Sequence, residues 1–141
     1  MNREDAPQED PFIGLWELDP QGSQYEFGRP PQSGRYQIQP DGDGYLITME
    51  WSSAKGQSHR LRYRGIPDGK DYPSENPAVA DTVSMSRVDH RTLDSTAKKA
   101  GHVTSYARRI LSTDGRTMTI TQSGTTPQGR DFTNLSIYKK R

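Results

Sequence analysis

Glycine-centred turns recur along this chain at nearly constant spacing, and that spacing limits what it can fold into. Asp41-Gly42, Asp43-Gly44, Asp68-Gly69 and Asp114-Gly115 are Asp-Gly pairs, well suited to the φ > 0 turns that close β-hairpins. Lys55-Gly56, Ala100-Gly101 and Gln128-Gly129 are weaker versions. Apart from one wider gap between Gly69 and Gly101, the turns lie about 13–14 residues apart. Removing the turn leaves about ten residues per strand, which suits an up-and-down meander that closes on itself.

The segments between turns alternate as strands do. In "YLITMEWS" (45–52), Tyr45, Ile47, Met49 and Trp51 share one face; in "SHRLRYRG" (58–65), His59, Leu61 and Tyr63 oppose Ser58, Arg60, Arg62 and Arg64. In "RTMTITQS" (116–123), Met118 and Ile120 oppose Thr117, Thr119 and Thr121. Period-two patterning rich in β-branched and aromatic residues predicts about nine strands, near 12–18, 35–40, 44–52, 57–65, 82–88, 91–98, 102–112, 117–123 and 131–139. Residues 1–10 read as a disordered tail. Residues 19–34, which carry Pro, Gly and Ser, and 66–81, which hold three prolines, read as long connections. The expectation is one all-β domain over 11–141, an antiparallel barrel of about eight to ten strands.

Composition decides what kind of barrel. Apolar residues are 29% of the chain, well below the roughly 45–50% usual when glycine is included, and the 13 glycines do not close the gap. Disorder goes with high net charge and few aromatics, whereas this chain has a net charge of +1 and aromatics throughout. A folded domain with a partly polar or hollow interior is expected. The balanced charge argues against a nucleic-acid partner. The chain has no Cys, so no disulfide framework or thiolate chemistry is available. No apolar run approaches the roughly 18 residues of a membrane span. "MNREDAPQED" has no apolar core of a signal peptide. As written the chain reads as cytoplasmic; a chain whose signal had been removed would begin similarly and be periplasmic or secreted.

"PFIGLWELD", with Gly14-x-Trp16 on the first strand, resembles the opening signature of the calycins, the superfamily of lipocalins and fatty-acid-binding proteins. The run from Asp68 to Arg141 is more specific. Its "DGKDYP", "ADT", the Arg108-Arg109 pair, the "DG" of 114–115 followed by alternating threonines, and the terminal Tyr138-Lys139 resemble a widespread bacterial group of small lipocalin-like proteins. The resemblance covers nearly the whole chain from Pro11 and implies no activity. Members of that group are commonly exported, which this N-terminus does not match. In calycins the first-strand tryptophan sits at the closed end, with a basic side chain near the last strand over its indole. Lys139, Lys140 and Arg141 are the candidates, and Arg141 would stack best. Gly14 would let the backbone bend there, or let another segment approach closely. Gly14, Trp16 and Arg141 are thus expected to be structural.

Chemistry-bearing residues are few. His90 and His102 lie near turns without spaced partners, and no metal-ligand pattern, serine triad or phosphate loop occurs. His59 shares a face with Leu61 and Tyr63. It reads as a core or barrel-mouth histidine, or as a ligand contact or general base. Alternation requires one of Arg108 and Arg109 to point inward if their strand is central, and a buried arginine needs an anionic partner. Fatty-acid-binding barrels hold a carboxylate with inward arginine and tyrosine, so the resemblance implies an anion clamp of Arg108 and Tyr106. The competing reading is an arginine near a barrel end that reaches solvent or an acid. The Arg60–Arg62–Arg64 stripe reads as solvated surface or as an edge charged against aggregation.

Three functions stay open. The leading one is a monomer or homodimer that binds a small, partly apolar, possibly anionic molecule, without cofactor or metal. Its contacts would be Tyr36, Met49, Trp51, His59, Tyr63, Met85, Tyr106 and Arg108. The second is a cofactor-free isomerase, cyclase or hydrolase with His59 or a tyrosine as acid or base. The third is a structural or interaction protein with a filled barrel. If Trp16 closes the barrel as expected, Trp16→Ala lowers the unfolding free energy by about 3–5 kcal/mol, read as a shifted urea midpoint.

Overall fold

A computed structural model describes residues 10–75, 80–126 and 128–141. Ten strands follow one another: β1 (Gly14–Tyr25), β2 (Ser33–Asp41), β3 (Gly44–Ser52), β4 (Ser58–Gly65), β5 (Asp68–Pro73), β6 (Thr82–Asp89), β7 (Thr92–Lys99), β8 (His102–Leu111), β9 (Thr117–Thr125) and β10 (Asp131–Lys140). They form one sheet in the order β4-β3-β2-β1-β10-β9-β8-β7-β6-β5, with every neighbouring pair antiparallel. This is the expected all-β, up-and-down barrel. No helix among the described residues is long and apolar enough to cross a membrane.

The sheet's two edge strands, β4 and β5, are consecutive in sequence. The barrel nearly closes between them, through one bridge from Tyr63 to Ser74 and a hydrogen bond from the Glu75 amide to the Arg62 carbonyl at 2.9 Å. β5 lies within the stretch 66–81 expected to be a connection, of which 76–79 fall outside the described residues. It escapes the alternation rule because it is short and its pairing with β6 slips between Asp68 and Asp71. Gly69, expected at a hairpin turn, sits inside that irregularity instead. β1 is likewise longer than expected. It resumes pairing with β10 at Gln24 after an interruption from Asp19, so part of the expected loop 19–34 is strand. The arginine stripe lies on edge strand β4, where Arg62 pairs with Glu75 at 3.7 Å and Arg64 with Asp41 at 3.5 Å.

Alternation delivers the core. Along β2, Gly34, Tyr36 and Ile38 are buried while Ser33, Arg35 and Gln37 are exposed. Ile47, Leu61, Tyr63, Met85, Leu93, Leu111, Met118 and Ile120 complete the inner wall. Where β3 begins, a Cβ on Gly44 would stand 2.2 Å from the Gly65 carbonyl oxygen, so only glycine lets β3 and β4 meet there.

One end of the barrel is sealed by the segment before β1. Phe12 and Trp16 are fully buried, and the Trp16 indole N–H donates to the Phe12 carbonyl at 3.0 Å. The cation over the indole is Lys140, with Nζ 5.3 Å from the ring centroid, and not Arg141. Register explains the difference: Lys140 lies directly opposite Trp16 and shares its face. Arg141 is one residue further and points outward, to Glu17 at 3.0 Å. Gly14 has φ of +146°, and a Cβ there would meet Lys140 Cε at 2.9 Å, so the close approach expected at this glycine is made by that lysine.

Asp10, assigned by sequence to a tail whose other residues lie outside those described, latches the seal. Its carboxylate accepts from both Tyr45 and Arg87, and the Arg87 guanidinium sits 5.2 Å from the Phe12 ring centroid. The three side chains come from the N-terminal segment, β3 and β6, so the latch ties the chain start to both halves of the sheet. Asp10→Ala leaves Arg87 and Tyr45 without their acceptor and costs about 1–3 kcal/mol. A cycle of Asp10→Ala, Arg87→Met and the double variant in urea unfolding should show a coupling of about 0.5–3 kcal/mol.

Candidate functional site

Residues 107, 109 and 111 of β8 face inward, and this places a guanidinium inside the barrel. Arg109 is 2% exposed. Its Nη1 donates to Ser95 Oγ at 2.8 Å, and its Nη2 donates to the hydroxyls of Tyr36 at 2.7 Å and Tyr63 at 3.2 Å. These partners come from β7, β2 and β4, so the arginine reaches from its own wall to the opposite one. Its Cζ lies 5.3 Å from the Tyr36 ring centroid, and Tyr138 meets Tyr36 edge to face at 5.2 Å. Arg109 makes no ion pair among the described residues, and its buried Nε has no hydrogen-bond partner there. A buried cation held by neutral hydroxyls is an unusual and costly arrangement.

The electrostatics follow from burial. Desolvation works against the Arg109 charge, but the Tyr36 and Tyr63 oxygens outweigh it, and the group stays protonated. Burial pushes the Tyr63 hydroxyl up to about 12 against the pull of Arg109. Tyr138 is also raised, by burial first and by Tyr36 second. These hydroxyls therefore stay neutral at physiological pH. While accepting from Arg109, Tyr36 and Tyr63 each retain a proton to donate.

The structure sorts the residues singled out from sequence. Tyr36 and Tyr63 meet at Arg109, and Met85 is buried in the same core. Met49 is partly buried opposite both Tyr36 and Leu61. Trp51 and His59 are register partners and stack at 5.4 Å with 22° between their planes; Trp51 is half-buried and His59 exposed. They line a cleft of about 270 Å³ where β2 and β4 begin and β3 ends.

Arg108 and Tyr106 do not form the expected inward clamp. Tyr106 is 54% exposed, and Arg108 lies on the outer surface in a two-pronged pair with Asp94, both contacts 2.8 Å. The assignment is off by one residue because both faces of β8 look alike. Tyr106 and Ile110 accompany Arg108; Ala107 and Leu111 accompany Arg109. The cross-strand neighbour is the signal that separates them. Asp94 lies directly opposite Arg108, while Leu93 lies opposite Arg109 and is fully buried. Ser95 had no sequence signal of its own; it belongs to the inner face of β7 beside Leu93.

Raised tyrosines make stability depend on alkaline pH. Below about pH 10 Tyr63 is protonated in folded and unfolded chains alike. Above it the unfolded chain ionises while the folded one resists until about 12, so stability falls as pH rises through that window. A two-unit shift corresponds to about 3 kcal/mol, and Tyr138 adds in the same direction. Urea midpoints should hold steady up to about pH 9 and drop between 10 and 12, with a shallower drop in Tyr63→Phe.

No family model and no curated protein matches the chain. Among solved structures, it is similar to the zebrafish ileal bile acid-binding protein complexed with cholic acid. That match has 18% identity and a TM-score of 0.61, covering 93% of this chain and 99% of that one. Lobster apocrustacyanin A1 and apocrustacyanin C2 align at 15% identity with TM-scores of 0.47 and 0.48, and in each case the alignment covers 98% of this chain and 64% of the other. At 18% identity the likeness to the zebrafish protein is one of fold, and the chain is built as a calycin-like β-barrel.

Proposed function

We propose that this protein binds a small, partly apolar anion inside the barrel, with the anionic group paired to Arg109. The observation that carries the reading is the buried Arg109 cation with neutral partners and an unused Nε. A ligand carboxylate, sulfonate or phosphate would supply the missing countercharge and accept from Nε, while Tyr36 and Tyr63 each offer an O–H. Apolar side chains such as Leu61, Met85 and Leu93 would take the rest of the molecule. The zebrafish protein of similar fold is complexed with cholic acid, an organic acid with an apolar body. That supports the reading.

A pair of fluorescent probes tests it. 1-Anilinonaphthalene-8-sulfonate carries an anion, and N-phenyl-1-naphthylamine has the same rings without it. The protein should bind the sulfonate more tightly. Arg109→Met should weaken it by about tenfold to a hundredfold, the worth of a charged hydrogen bond, and leave the neutral probe unchanged. Circular dichroism on the variant separates lost binding from lost fold. Equal affinity for the two probes, or no difference between Arg109→Met and the parent, would overturn the assignment. Native mass spectrometry followed by small-molecule analysis would then identify what co-purifies.

A further inference from the structure

We propose that the outer face of β6–β9 is an interface with a second copy of this chain. The observation that carries it is a local loss of charge. Charged residues are 26% of the chain, and the outside of β1–β4 reflects that: Glu17, Arg35, Glu50 and Arg60 stand in one row across the four strands. The outside of β6–β9 differs. Its central row is Ser86, Asp94, Arg108 and Thr121. In the row towards the closed end, Thr92, Ile110 and Thr119 are register partners, and Val88 stands beside them at the register slip of β6. In the row towards the mouth, Tyr106 lies between Thr96 and Ser123. The two charges of the central row neutralise each other, since Arg108 holds Asp94 through two contacts of 2.8 Å. Val88, Tyr106 and Ile110 are about half exposed around that pair. Charge depletion around exposed aromatic and aliphatic side chains distinguishes the centre of a protein interface from ordinary surface.

Charge selects the occupant. The patch has no net charge, so a nucleic acid or an anionic membrane finds no countercharge on it. A second copy of the same face leaves no charge unpaired. Asp94 and Arg108 lie directly opposite each other on β7 and β8. A two-fold axis running along the strands between β7 and β8 therefore lays each arginine over an aspartate of the other copy. The same rotation lays Ile110 over a threonine at position 92, and Val88 over one at position 119. Both surfaces are strands with β-branched and hydroxyl side chains, and two such sheets pack face to face about 10 Å apart. Two convex barrel walls touch along a stripe, at the small end of protein interfaces, below about 1,200 Å² in total. The dimer is accordingly weak and reversible, with a dissociation constant on the order of 10 µM.

The test is sedimentation equilibrium of the full chain from about 1 to 200 µM, a range that brackets that constant. The average mass should rise with concentration from the 15.9 kDa of one chain towards twice that value. Ile110→Asp sets like charges against each other across the axis and should weaken association about a hundredfold or more. Asp94→Arg crowds arginines at the centre and should do the same, while Asp94→Arg combined with Arg108→Asp restores the pair and should restore the dimer. Gln37→Asp, on the outside of β2, is the control and should change nothing. Circular dichroism and urea midpoints confirm that each variant is folded, so a lost dimer is not a lost fold. Four results would overturn the proposal. These are a monomer across the whole range, a dimer that survives Ile110→Asp, a double variant as monomeric as Asp94→Arg, or equal dissociation by Gln37→Asp.

Discussion

Pairing of the first strand with the last makes this sheet a barrel, and the other features depend on it. The register that places Lys140 opposite Trp16 runs on through Tyr138 opposite Leu18. It closes β10 onto β1 and leaves only the β4–β5 side without a full ladder. Closing a sheet this way removes most of the exposed edge that would otherwise invite aggregation. Of the two edge strands that remain, β4 carries three arginines. Phe12, Trp16 and the Asp10 latch then fill the end that the seam defines. The seal and the seam therefore share residues, and loss of one loosens the other.

A closed barrel in a chain with few apolar residues must bury polar groups. Here one set of them is gathered around a cation. Ser95, Tyr36 and Tyr63 come from three strands separated in the sheet, yet all three converge on Arg109. A guanidinium with several fixed donors is suited to cross a barrel in this way, since one group can bond to several walls at once. The hydroxyls lessen the desolvation cost but supply no countercharge. That imbalance is what gives the interior its chemical direction.

Much of the barrel was legible in the residues. The turns at Asp41–Gly44 and at Gly101, Gly115 and Gly129, and the alternation in 45–52 and 117–123, follow from local chemistry that does not need the partner strand. β5 was not legible, because a six-residue edge strand with a slipped register carries no period. Asp10 read as tail because nothing in "QEDPF" announces an ion pair with a residue 77 positions away. Of the site residues, Tyr36 and Tyr63 followed from alternation along strands whose inner faces are clearly apolar. Arg108 and Tyr106 were misplaced for the converse reason: on β8 the two faces are equally apolar.

By itself the sequence determined the class of fold, most of the hairpin turns and, for most strands, which face is buried. These depend on backbone geometry and on the two-residue period of the side chains, both local properties. The tertiary structure decided which arginine is inside, which cation covers Trp16, and which hydroxyls meet Arg109. Those outcomes depend on register between strands far apart in the chain. A shift of one residue exchanges inside for outside, and only the assembled set of neighbours, Asp94 beside Arg108 and Leu93 beside Arg109, selects one of the two.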